Sequence, residues 1–116
     1  MTTLNFNKPN LVVNPLHVNG NLGSTSLTAI YTATANHGVS VRTLRVTNTT
    51  STACTLLAQT MDASNSNLLK AIFNNSVPGN GSIDLGPLTL DELDAIKLTA
   101  GTSSALDWVL TGDDCS

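Results

Sequence analysis

The chain has 116 residues and a mass of 12.0 kDa, enough for one domain with a single core. Charged residues make up only 11% of it and hydrophobic residues 41%, while 17 Thr, 11 Ser and 13 Asn occupy 41 positions. That hydrophobic share, a net charge of -3 and a pI of about 4.9 exclude a disordered polyelectrolyte and a binder that neutralises nucleic-acid phosphates.

Residues Met1 to Ser26 read differently from the rest. Pro9 and Pro15 interrupt helix and central strand, and Asn10, Asn14, Asn19, Gly20, Asn21 and Gly23 favour turns. The segment is expected to be an extended N-terminal arm over 1–26, with a short strand at Leu11 to Val13. The alternative is an ordinary first strand packed on its own domain. Leu11, Val12, Val13, Leu16 and Val18 are its candidates for contact with a partner.

From Leu27 to Ser116 short apolar runs alternate with turn clusters, as in a sandwich. Strands are expected at Leu27 to Thr34, Val39 to Thr47, Ala53 to Met61, Leu68 to Asn74, Ser82 to Leu85, Leu88 to Leu90, Ala95 to Ala100 and Ala105 to Thr111. In the second run Val39 and Val41 share one parity, Leu44 and Val46 the other. One inserted residue near Arg42 and Thr43, a β-bulge, accounts for the slip. Leu44, Val46, Leu56, Ile96, Leu98, Leu106, Trp108 and Leu110 fall on the inward faces and form the expected core. Val77 to Gly81 reads as a turn, and Gly112 to Ser116 as a short acidic tail with Asp113 and Asp114 at a frayed end. The fold class is all-β: an antiparallel β-sandwich, jelly-roll or Ig-like, of about seven or eight short strands.

Chemistry is sparse. No G-x-S-x-G elbow and no phosphate-binding glycine loop occurs, so no enzyme and no cofactor are expected. Asp91, Glu92 and Asp94 lack the alternating ligands and central Gly of a calcium loop and read as a solvated turn. His17, His37, Cys54 and Cys115 do not fall at zinc-ligand spacing, and no metal is expected. No apolar run reaches the roughly 18 residues of a membrane span, and Met1 opens on a polar stretch without a signal-peptide core. A reducing cytoplasm is therefore the expected place of synthesis, with both cysteines as thiols and Cys54 as a small buried hydrophobe. Asn48, Asn74 and Asn80 head glycosylation-type triplets expected to stay unmodified. Arg42 and Arg45, three apart in a strand, point to opposite faces unless the bulge realigns them. Phe6, Tyr31, Phe73 and Trp108 are expected to pack rather than to stack on a sugar.

The stretch Leu27 to Thr55 runs LTAIYTATANHGVSVRTLRVTNTTSTACT, followed by a Pro-Gly turn, Gly86-Pro87-Leu88-Thr89-Leu90 and an acidic turn into Ala95-Ile96. This order resembles small structural proteins of tailed-bacteriophage virions over about Leu27 to Thr111. Tyr31-Thr32-Ala33, Ala35-Asn36, Leu44-Arg45-Val46, Asn48-Thr49 and Gly86-Pro87-Leu88 carry the match. The departure is Leu93, where the pattern has Gly before Asp94, so a turn with positive φ is less comfortable.

The resemblance implies a β-sandwich virion protein without catalytic residues, located in the virion after assembly in the host cytoplasm. The expected role is a capsid decoration or cement protein. It would bind the major capsid protein or other virion proteins and associate with copies of itself, as trimers at threefold positions. The alternatives are a neck or tail adaptor or fibre-attachment protein and, from another class, a carbohydrate- or receptor-binding module. No nucleic-acid or membrane partner is expected.

Overall fold

Period-two polarity becomes a strand wherever its two faces meet core and water. The computed structural model describes residues 12–116. Nine strands follow in chain order: β1 Val13–Asn21, β2 Thr28–Thr32, β3 Gly38–Asn48, β4 Cys54–Asp62, β5 Leu68–Val77, β6 Ser82–Leu85, β7 Leu88–Leu90, β8 Ala95–Ala100 and β9 Leu106–Cys115. A 3-10 turn, Ala63–Asn65, joins β4 to β5.

The strands form two antiparallel sheets. One has the order β1-β9-β3-β6, with β7 pairing on β3 beyond β6; the other has the order β2-β8-β4-β5. Most connections cross between the sheets, and only β4–β5 and β6–β7 stay within one. This is the jelly-roll order, with β6 and β7 as one strand broken at Gly86-Pro87, and it decides against an Ig-like topology. Gly86 sits at φ 115, where a side chain is disfavoured, and Pro87 has no N–H for the ladder.

The core lies between the sheets. Leu44, Val46, Ile96, Leu98, Leu106 and Leu110 are each 0% exposed, Leu56 1% and Trp108 8%, as the alternation predicted. Burying each aliphatic side chain contributes about 1.5–3 kcal/mol. The bulge is present as well: the β3–β9 register shifts between Val41 and Thr43. Arg42 is the extra residue, so Val39 and Val41 point inward together with Leu44 and Val46. The same insertion leaves Arg42 and Arg45 exposed, each ion-paired: Arg42 with Asp113 at 2.9 Å, Arg45 with Asp84 at 2.8 Å.

Three expectations are corrected. Over its described part the arm is a strand of the sandwich: Val13 to Asn21 pair along their whole length with β9, and Leu22 is 2% exposed in the core. The asparagines and Gly20 are accommodated because an edge strand needs a partner on one side only. The tail is not frayed. Gly112 to Cys115 extend β9, the strand held between β1 and β3, and Cys115 is buried. Val77 ends β5 at 0% exposure, and the turn begins at Pro78, whose carbonyl accepts from the Gly81 N–H.

Candidate assembly surface

The five residues singled out as contact candidates divide. Leu11 lies outside the described residues. Val12 and Val13 are 49% and 55% exposed at the start of β1. Leu16 and Val18 are half-buried and pack against the chain's own core. A strand alternates its faces, so the inward set cannot also serve a partner.

The β1 backbone shows which groups it leaves open. Val12 and Ser116 exchange both N–H···O bonds, at 3.1 and 2.9 Å, and the Leu22 N–H donates to the Leu106 carbonyl at 2.9 Å. Even-numbered residues therefore face β9, and the N–H and C=O groups of Val13, Pro15, His17, Asn19 and Asn21 point away from it. No described strand lies on that side. Pro15 fits because the N–H it lacks is one the sheet does not use.

The other three sheet edges differ. The β2 edge has five residues with a register shift between Ala29 and Tyr31, and the β6–β7 edge is broken. The β5 edge runs for ten residues with one bulge at Ile72, where the β4–β5 register shifts between Ala58 and Gln59, and Leu68, Leu69 and Ile72 are exposed along it. Long apolar edges invite pairing with another chain, and Lys70 is the one charge on this strand. Sequence reasoning identified this strand but not its edge position. The available signal was the run Leu68-Leu69-Lys70-Ala71-Ile72, which is apolar on both parities and so matches no half-buried strand.

At the β1 start, side chains tie the loops. His37 Nδ1 lies 2.8 Å from Asp114 Oδ1, and the Asn36 N–H donates to Glu92 at 2.7 Å. Asp94 accepts from the N–H groups of Ala63 and Asp91 at 2.9 and 3.1 Å. The acidic cluster thus works as a set of turn acceptors. A groove of about 260 Å³ opens beside it, lined by Met61, Asp62, Leu68, Lys70, Leu90 and Asp94 among others. That volume is below the roughly 300–1,000 Å³ of small-molecule pockets. Tyr31 and Phe73 are half-buried against the core and Trp108 is within it, so these aromatics are packing residues, as expected.

Two thiols are free and buried, Cys54 and Cys115. Burial, reinforced by Asp113 and Asp114, pushes the Cys115 thiol above its usual range. Burial and Asp114 do the same to the Tyr31 hydroxyl. The hydrogen bond from Arg45 holds the Asp84 carboxyl below the usual carboxylate range. Among the described residues no helix is long and apolar enough to cross a membrane.

No protein-family model and no curated protein matches the chain. Among the solved structures similar in fold or outline are the following two. A chain from Bacillus endospore appendages, described as a novel family of disulfide-linked pili, aligns with TM-score 0.55 at 12% identity, over 90% of this chain and 86% of that one. A chain of the cyanophage Pam1 capsid asymmetric unit aligns with TM-score 0.36 at 12% identity, over 91% and 84%. The second value is too low to support any inference. The first establishes likeness of fold: this chain shares its β-sandwich with the subunit of an assembled appendage.

Proposed function

We propose that this chain is a structural subunit of a bacteriophage virion that acts by adhesion and not by catalysis: a decoration or cement protein on the outside of the head shell. The observation that carries the reading is the open β1 edge, nine residues long, with outward backbone groups and exposed Val12 and Val13 at its start. Such an edge takes up a neighbouring strand through main-chain hydrogen bonds. The virion setting comes from the resemblance over Leu27 to Thr111. The partners in this reading are the major capsid protein or other virion proteins, together with copies of this chain. Each contact is of standard size or smaller, and repetition over a symmetric shell makes the attachment multivalent.

Quantification and imaging of the protein in purified particles test the reading. On the order of hundreds of copies, distributed over the head, is the expected result for a multivalent coat. A dozen copies or fewer at one vertex would move the role to neck or tail. Particles that lack the protein would overturn the proposal.

A further inference from the structure

The two long edges of the sandwich are placed so that one copy can satisfy another. β1 closes one flank of its sheet and β6 the other, and β5 abuts β6. The open β1 and β5 edges therefore lie on opposite flanks and belong to different sheets. They are similar in length, nine residues in a regular ladder and ten with one bulge at Ile72.

They also run in the same direction. β1 starts beside Cys115 and Asp114, and β5 starts beside Asp62, just after the Ala63 turn. The contacts His37–Asp114, Asn36–Glu92 and Asp94–Ala63 link these two starts across one end of the molecule. At the other end Asn21 pairs opposite Asp107, and the Val77 carbonyl accepts from Asn48, which pairs opposite Leu106. Two copies side by side in one orientation thus bring β1 of the first along β5 of the second. The exposed apolar residues meet end to end, Val12 and Val13 against Leu68 and Leu69.

We infer that a second copy of this chain pairs its β5 edge with the β1 edge of the first, head to tail, joining the four-stranded sheet of one copy to the β1 sheet of the next. This rests on the adhesive-subunit reading and names the surface through which copies associate. One pairing fills both edges with a single kind of contact. Such a contact is heterologous, so it builds a closed ring or an open chain. It cannot close on two copies, because the edges face opposite ways.

The test uses the full chain and two edge-blocked variants. Asn19→Pro removes an outward N–H from β1, as Pro15 already does; Val13→Asp is a second block on the same edge. Leu69→Lys with Ile72→Lys charges β5. Unfolding curves verify that each variant is folded. Analytical ultracentrifugation over a concentration series is expected to show the unaltered chain passing beyond dimer and each variant alone monomeric. The decisive result is the equimolar mixture of a β1-blocked with a β5-blocked variant: each retains the edge that the other lacks, and they form a heterodimer that grows no further. An unaltered chain that stays monomeric, or stops at dimer, overturns the inference. So does a mixture that remains monomeric. Because the assay needs no particle, its failure is distinct from absence of the protein from virions.

Discussion

Asn48 shows how one side chain can close a sandwich. It is 0% exposed, the one fully enclosed polar residue among those described. Its amide donates to the carbonyls of Thr52 and Val77 at 2.8 and 3.1 Å, and its oxygen accepts from the Thr50 N–H and hydroxyl at 2.9 and 2.7 Å. It thereby pins the end of β3 to the end of β5 in the opposite sheet. Asn48→Ala leaves buried groups unpaired and is expected to cost about 2–4 kcal/mol in denaturant titration. The same enclosure keeps its glycosylation-type triplet out of reach in the folded chain. Leu93 carries a local cost instead. It sits at φ 66, in the left-handed region where a side chain is disfavoured, and is 49% exposed. Leu93→Gly is expected to stabilise the protein by about 1 kcal/mol, read as a rise in melting temperature. Trp108→Ala should cost about 3–5 kcal/mol, because the indole is enclosed and Gly20 packs closely against it. Titration follows the same surroundings. The raised Cys115 and Tyr31 values favour the protonated folded state, so their contribution is complete below the unfolded values and lost as pH rises through the raised folded ones. Stability should decline above about pH 9, and in Cys115→Ala the decline should begin nearer pH 10, where unperturbed tyrosine titrates. Asp84, with its lowered value, acts in the opposite range: its contribution is lost as pH falls below about 4.

At the scale of elements, β9 is the strand on which the first sheet depends. It pairs with β1 on one side and β3 on the other over its full length. Gly112 lies so close to the Ser40 carbonyl that any side-chain carbon there would clash with backbone. Gly112→Ala is therefore expected to abolish cooperative unfolding or lower the midpoint sharply, whereas replacement of the open Gly23 should have little effect. β1 is equally part of the fold, since Leu16, Val18 and Leu22 contribute to the core. Removing Val12 to Asn21 should destabilise the sandwich, read as a lower melting midpoint by circular dichroism during heating. The bulge was legible because the parity of apolar residues flips within one run. The reach of β9 to Cys115 was not: Gly112, Asp113 and Asp114 have the chemistry of a loose tail, and they are held by Arg42, His37 and two flanking strands that are remote in sequence.

At the scale of the whole molecule, two edges are short or broken and two are long and open, and this asymmetry directs association. The all-β class, the sandwich and the core follow from the sequence, because period-two alternation is a property of each segment taken alone. The eight core residues from Leu44 to Leu110 could be named for that reason. Which strand lies at an edge is a property of pairing between segments up to about a hundred positions apart, such as Val13 with Cys115, and no local pattern encodes it. Tertiary structure therefore decided that Val13 to Asn21 form β1, that the apolar run at Leu68 lies exposed on an edge strand, and that both leave backbone groups without a described strand beside them on opposite flanks. The reason is geometric: a side chain's face is set by its own strand, but a backbone hydrogen bond is satisfied only by whichever strand comes to lie beside it.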